Sequence, residues 1–251
     1  MCFDNDSLPP IPAISGAAVS HDDLILEAQD GNRLAAFAAA PDEPSSAGIV
    51  ILPDIRGLYR FYEELALRFA ERGHTAVAID YFGRTAGVSK RDDEFEWQPH
   101  VQQTTADGVQ ADAAAGVAWL RNAGIGSIFT VGFCFGGRHS WLAAAAGHGL
   151  AGAIGFYGRP GPGQDGAAGP AQKAGELEAP VLGLMGGADE GIPLEQVRAF
   201  EQALVEAGVE HELVIYDGAP HSFFDRKQEQ FADASAHAWS RALAFVEQYS
   251  G

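Results

Sequence analysis

The chain has 251 residues, and its 34 acidic against 16 basic side chains give a formal net charge of −18 at pH 7. With 47% hydrophobic and 20% charged residues it can bury a sizeable core, which excludes global disorder. The acidic excess repels phosphate backbones and anionic lipid, which argues against nucleic-acid or membrane-surface binding.

The opening residues, MCFDNDSLPPIPAISG, have neither a basic region nor an apolar run, so no signal peptide is expected there. No stretch approaches the ~18 uninterrupted apolar residues of a membrane helix. Two cysteines, Cys2 and Cys134, make neither a disulfide framework nor a zinc site by themselves. The expectation is a soluble cytoplasmic chain, with an arm over residues 1–20 and one α/β domain over 21–251.

In chain order, Leu24–Gln29 and Arg33–Ala40 flank the turn signal Asp30-Gly31-Asn32 and predict a β-hairpin. Gly48–Pro53 (GIVILP) reads as a strand buried on both faces, and Tyr62–Arg72 as a helix stopped by Gly73. Thr75–Tyr81 is the next strand. Asp107–Asn122 predicts a helix, Ser127–Phe133 a strand, and Gly136–Gly147 a helix. Ala153–Tyr157 and Val181–Met185 predict strands, Leu194–Ala207 a helix, Glu212–Tyr216 a strand and Lys227–Tyr249 the closing helix. This alternation predicts a mostly parallel sheet covered by helices on both faces. Gly158–Gly175, dense in Gly and Pro, predicts a mobile surface loop.

The most informative stretch is SIFTVGFCFGG (127–137). A buried strand runs into Gly132-Phe133-Cys134-Phe135-Gly136 and then into an Ala-rich helix. That is the shape of a nucleophile elbow, G-x-Nuc-x-G, with cysteine as the nucleophile. A sharp strand-to-helix turn strains the nucleophile's backbone, and Cβ atoms two residues to either side would clash. The turn also sets Cys134 at a helix N-terminus, where the dipole and free N–H groups favour a thiolate. A core cysteine between packing glycines accounts less well for strand, elbow and helix in that order. The segment lacks the Lys-Ser/Thr of a P-loop and the spacing of a dinucleotide fingerprint.

A cysteine nucleophile needs a base, and the base needs an orienting acid. His221, in DGAPHSFF after the last strand, falls at the carboxyl edge of the sheet, where open α/β folds bind ligands. The other seven histidines fall on helices, at strand starts or in irregular segments. Asp189 follows the strand VLGLMGG at the same edge, with Glu190 and Asp217 as competing acids. Cys134, Asp189 and His221 then stand in the nucleophile–acid–histidine order of α/β-hydrolases.

The motifs GFCFGG (132–137), GGADEGIP (186–193) and HSFF (221–224), with the long segment 53–84 (PDIRGLYR…DYFGR), resemble the dienelactone hydrolase family. The resemblance runs from about Leu24 to Phe245 and implies an α/β-hydrolase fold. It also implies an oxyanion hole from the backbone N–H groups of Ile55 and Phe135. Asp54 stands at the position of a family glutamate that pairs with the resting cysteine. Family enzymes carry a substrate-binding arginine four residues after the catalytic histidine. Here that position is Asp225 and Arg226 comes one later, while Arg84, Lys90 and Arg91 compete for the place of a second arginine. Arg226 is the candidate polar contact, and Phe82, Trp97, Tyr157 and Phe223 are candidates for an apolar pocket.

The sequence therefore predicts a hydrolase of carboxylic esters or lactones that forms an acyl-enzyme on Cys134. The same machinery acting on organophosphate triesters is an alternative, and a redox-sensing or ligand-binding protein is a second. No metal or organic cofactor is called for. The expected partner is a small-molecule electrophile, and the expected state a monomer or homodimer.

Overall fold

A computed structural model describes residue 4 and residues 6–92, 94–163 and 166–251. Cys2 and part of the Gly158–Gly175 segment lie outside the described residues. Eight strands form one sheet: β1 (Val19–Glu27), β2 (Arg33–Pro41), β3 (Ala47–Leu52), β4 (Thr75–Ile79), β5 (Ser127–Phe133), β6 (Gly152–Phe156), β7 (Val181–Gly186) and β8 (His211–Tyr216). Their spatial order is β1-β2-β4-β3-β5-β6-β7-β8. The hairpin β1–β2 and the β2–β4 pairing are antiparallel, and every other pairing is parallel.

Side chains alternate across the sheet as strand geometry requires. Ile49 and Ile51 of β3 join a core with Phe129, Val131, Leu182 and Leu184, covered by the helices α1 (Arg60–Ala70) and, at the end of the chain, Ala232–Tyr249. Val50 and Leu52 face the other way, onto Val109, Ala113, Val117 and Leu120 of the long helix Ala106–Asn122. Numbered in chain order, the helices after α1 are α2 (Gly83–Ala86), α3 (Gln98–Val101), α4 (Ala106–Asn122), α5 (Phe135–Ala143), α6 (Leu194–Ala207) and α7 (Ala232–Tyr249). Trp141 of α5 and Val197, Phe200 and Leu204 of α6 complete this second face under β6 and β7. The Trp141 indole is fully buried and donates its N–H to the Leu182 carbonyl at 3.0 Å, which fastens α5 to β7.

Two expectations change. The closing helix begins at Ala232 and not at Lys227, because Asp225 accepts the Lys227 N–H and a short 3₁₀ turn, Glu229–Phe231, precedes the helix. The described part of the arm is also docked. Ser7 Oγ donates to the buried Asp225 at 2.7 Å, the Arg226 N–H to the Leu8 carbonyl at 3.0 Å, and Ile11 enters the core. Among the described residues, no helix is long and apolar enough to cross a membrane.

Candidate active site

The elbow is built by close contact that only glycine permits. A Cβ on Gly132 would lie 1.9 Å from the Gly136 carbonyl oxygen, and one on Gly136 would lie 2.0 Å from the Leu52 oxygen and 2.3 Å from that of Pro53. The start of α5 can therefore press against both β5 and the end of β3. Cys134 occupies the turn with φ 54° and ψ −111°, a strained conformation costing about 1–3 kcal/mol. Its N–H donates to the Phe156 carbonyl at 2.9 Å and its carbonyl accepts the Arg138 N–H at 3.2 Å, so both flanks hold the strain in place. Among the described residues, the non-glycine positions with positive φ are Cys134, Tyr157 and Ser222. All three lie at the carboxyl edge of the sheet.

The structure joins two of the sequence candidates directly. His221 Nδ1 and Asp189 Oδ2 are 2.6 Å apart, with the Asp189 side chain 1% exposed and that of His221 20% exposed. The other Asp189 oxygen accepts the N–H groups of Gly191 and Ile192 at 2.8 and 3.2 Å. A carboxylate anchored on one oxygen by two backbone donors offers the second in a fixed direction. An Nδ1–H pointed at it leaves Nε2 with its lone pair outward. The supporting loops are laced together, with Gly187 N–H on the Tyr216 carbonyl and Ala188 N–H on that of Ala219. Tyr157 packs its ring 5.0 Å from His221 and 6.1 Å from Phe133, the residue before Cys134. Cys134, Tyr157, Asp189 and His221 thus follow the carboxyl ends of four successive neighbouring strands, β5 to β8.

Ile55 and Phe135 follow neighbouring strands. Leu52 of β3 is in register with Gly132 of β5, and each candidate donor is three residues further on. Phe135 opens α5, so its N–H has no carbonyl partner within the helix. The loop that carries Ile55 is fixed from several sides. Asp54 N–H donates to the Tyr62 hydroxyl at 2.9 Å and Tyr81 donates its hydroxyl to the Pro53 carbonyl at 2.8 Å. Buried Asp80 accepts the Leu58 N–H at 2.9 Å and is itself paired with Arg91 at 2.7 Å. Burial pushes the Tyr81 phenol well up from its ordinary range, with Asp54, Asp80, Cys134 and Asp112 adding to the shift. Tyr81 therefore stays a neutral donor.

Asp54 is fully buried, but its carboxylate is turned to Arg56 and not to Cys134. Oδ1 accepts the Arg56 backbone N–H at 2.9 Å, and Oδ2 accepts Arg56 Nη2 and the Tyr59 hydroxyl, each at 3.2 Å. Arg56 also donates to that hydroxyl and lies over the Tyr59 ring. Among the described residues, the Cys134 thiol is not a hydrogen-bond partner of Asp54. An aspartate reaches one methylene less far than glutamate, and the arginine two residues on takes it up. Burial works against the Arg56 charge, but Asp54 outweighs it and the net shift of the guanidinium is upward.

The candidate pocket residues divide between the two faces of the sheet. Tyr157 and Phe223 pack together, 5.6 Å between centroids, in the core beside the elbow. Phe82 and Trp97 belong to the opposite core, where Phe82 is fully buried against Phe95 and His100. The structure does not bring these pairs together. Arg226 is exposed, beyond the docked Asp225. Sequence reasoning missed Arg56, Tyr59, Tyr62 and Tyr81, which shape the loop around Ile55. It also missed Arg138, whose guanidinium donates to the carbonyls of Arg159, Gly161, Ala167 and Ala168. The Gly/Pro-rich segment expected to be mobile is, in its described residues, stapled to the elbow helix.

Residues 34–250 match the dienelactone hydrolase family. The chain belongs to that family. It is 31% identical over 272 residues to a carboxymethylenebutenolidase of Rhodococcus opacus, an alignment covering 99% of this chain and 97% of the relative. A Klebsiella pneumoniae crystal structure, provisionally named a dienelactone hydrolase, superposes with a TM-score of 0.80 at 29% identity, over 92% of this chain and 100% of that one. A dienelactone hydrolase-like promiscuous phosphotriesterase from metagenomic libraries shares the fold, with a TM-score of 0.76 at 22% identity over 93% and 98% of the chains. As a dienelactone hydrolase-like protein the chain is an ester and lactone hydrolase of the α/β-hydrolase fold.

Proposed function

We propose that the dienelactone hydrolase-like reaction runs through a Cys134–His221–Asp189 triad and an acyl-enzyme, in the cytoplasm. The observation that carries this reading is the 2.6 Å contact of His221 with a buried, doubly anchored Asp189, at the edge where the elbow presents Cys134. His221 Nε2 takes the thiol proton and the sulfur attacks the acyl carbonyl. The developing oxyanion is received by the N–H groups of Ile55 and Phe135. Collapse breaks the acyl–oxygen bond, and His221 returns the proton to the departing alkoxide. In the second half His221 removes a proton from water, which attacks the thioester and releases the acid and the thiol. Asp189 fixes the tautomer and stabilises the imidazolium in both halves. For a lactone the leaving alkoxide stays attached, so one hydroxy acid is the product. The name of the Rhodococcus relative, a butenolide hydrolase, supports including lactones.

The test is intact-mass spectrometry during turnover of 4-nitrophenyl butyrate, with Cys134→Ala and His221→Ala in parallel. The expected result is a transient butyryl adduct on the wild type alone, release of 4-nitrophenolate, and turnover reduced by orders of magnitude in both variants. Full activity in either folded variant removes that residue from the mechanism. No adduct and no release, with turnover of an organophosphate triester, would replace the carboxyl ester by a phosphorus electrophile.

A further inference from the structure

The charges gathered at the carboxyl edge bear on which acyl groups the site accepts. Four buried aspartates lie there: Asp54 after β3, Asp80 after β4, Asp189 after β7 and Asp225 four residues beyond His221. Four cations beside the ends of β3 and β4 are committed to acids. Arg56 lies on Asp54 at 3.2 Å and Arg91 on Asp80 at 2.7 Å. Further out, Arg84 is held by Asp30 and Asp112, and Lys90 by Asp23 and Glu63. Asp225 is satisfied by neutral donors, the Ser7 hydroxyl at 2.7 Å and the Lys227 backbone N–H at 3.1 Å. The Lys227 ammonium instead reaches Asp4 and Asp6. Arg56 and Arg91 are thus each neutralised by a buried aspartate, while on the far side of the crevice Arg138 and Arg159 donate to backbone carbonyls and Arg226 is exposed, all within a chain at −18.

Arg56 is the cation placed to meet a substrate, because it adjoins the proposed oxyanion donor Ile55 and keeps 12% of its side chain exposed. Asp54 holds it through two guanidinium nitrogens and its backbone N–H, and Tyr59 covers its face. A substrate carboxylate arriving at Arg56 must displace an intramolecular carboxylate that is already desolvated and aligned.

We propose that this site selects acyl groups carrying no charge, and that Asp54 is the specificity-determining residue, through its neutralisation of Arg56. The proposal rests on the acyl-transfer reading above. Uncharged esters and lactones meet only the neutral pair and the surrounding aromatic rings. An acyl chain ending in carboxylate meets an Arg56 already neutralised by Asp54, in a chain whose net charge of −18 repels it.

The experiment compares kcat/KM for 4-nitrophenyl hexanoate and mono-4-nitrophenyl adipate, in which a carboxylate replaces the terminal methyl, on the full chain at 20 mM and 500 mM NaCl. Adipate is expected to be at least tenfold poorer at low salt. The gap should narrow severalfold at high salt, because screening weakens a repulsion. Asp54→Asn releases Arg56 and should raise the adipate-to-hexanoate ratio at least tenfold. Arg56→Met must not raise it, and with the salt series it carries the test if Asp54→Asn fails to fold. Equal or better use of adipate by the wild type, or a ratio that falls with salt, overturns the proposal while leaving the triad intact. Turnover of neither ester overturns the acyl-transfer reading, and this proposal with it.

Discussion

Gly136 couples the elbow to the loop of the proposed oxyanion donor Ile55, and its replacement by alanine tests that coupling with little change in chemistry. The new Cβ would lie 2.0 Å from the Leu52 oxygen and 2.3 Å from the Pro53 oxygen, whereas real Cβ contacts stay above 3.0 Å. Both obstacles are backbone, so no rotamer relieves them. The start of α5 and the end of β3 must part by about 1 Å. Phe135 is the residue before Gly136, and Ile55 lies two beyond Pro53, so the displacement falls between the two proposed oxyanion donors. A misplacement of about 1 Å costs roughly 10² in rate, and loss of one donor roughly 10²–10³. Overpacking adds a stability cost of about 1–3 kcal/mol, roughly 3–10 °C in Tm for a chain of this size. The assay is kcat and KM on 4-nitrophenyl butyrate alongside calorimetric Tm. Gly175→Ala is the control, because its Cβ would meet nothing within 4 Å. The expected result is a kcat at least 10² lower with KM changed only a few-fold. Wild-type kcat and Tm in Gly136→Ala would refute the close-contact account of the proposed oxyanion hole.

Two further outcomes follow from groups around the elbow. Buried His139 packs its ring, tilted, 4.4 Å from that of Phe135, and burial, assisted by Arg138, pushes its imidazole down to about 3. A depressed histidine contributes stability that is present above its ordinary ~6.5 and lost as pH falls toward 3, about 2 kcal/mol by pH 5. His139→Phe should therefore lose less stability than wild type between pH 7 and 5 in urea titrations, and parallel curves would discount the histidine. Asp112 acts in the opposite sense in both proteins. Burial, opposed by Asn32 and Arg84, pushes it up to about 6, so its contribution is present below about 3.8 and lost as pH rises through 6. Arg138→Met removes the donor to four loop carbonyls and should expose the segment around 159–168 to limited proteolysis at least tenfold faster. Unchanged cleavage would show that the loop holds its place without the arginine.

The sheet was legible because β-branched runs and helical periods recur with clear stops. Ser127–Phe133 and Leu194–Ala207 coincide with β5 and α6 residue for residue. The start of α7 was misread because residues 225–231 answer to an arm more than 200 residues away in sequence, through Ser7–Asp225 and Leu8–Arg226, and periodicity carries no trace of such contacts. Helices α2 and α3 span four residues each, too short to show a period. The pairing of Asp189 with His221 could be anticipated because each follows a strand, and a parallel sheet gathers strand ends. The surroundings of Ile55 could not, since Tyr62, Tyr81 and Asp80 converge on it from α1 and the end of β4 with no common spacing. Arg56 is the exception. It stands two residues after Asp54, close enough for an Asp side chain to claim its N–H, and that local signal was open to a sequence reading.

The chain order of the site follows from the strand order. From β3 the sheet grows in one direction to β4, and from β5 it grows in the other through β6, β7 and β8. The connections leaving β3 and β5 therefore diverge, and the crevice between them is the topological switch point where open α/β sheets bind ligands. The elbow sits on one wall of that crevice and the Asp54–Leu58 loop on the other. The proposed oxyanion hole takes one donor from each wall of that crevice. Growth in a single direction beyond β5 then sets Tyr157, Asp189 and His221 on successive strand ends, so the chain order of the proposed triad, Cys134, Asp189, His221, repeats the order β5, β7, β8. Backbone strain at Cys134, Tyr157 and Ser222 is confined to these ends, where sheet pairing on one side and core packing on the other hold conformations that an isolated loop would relax.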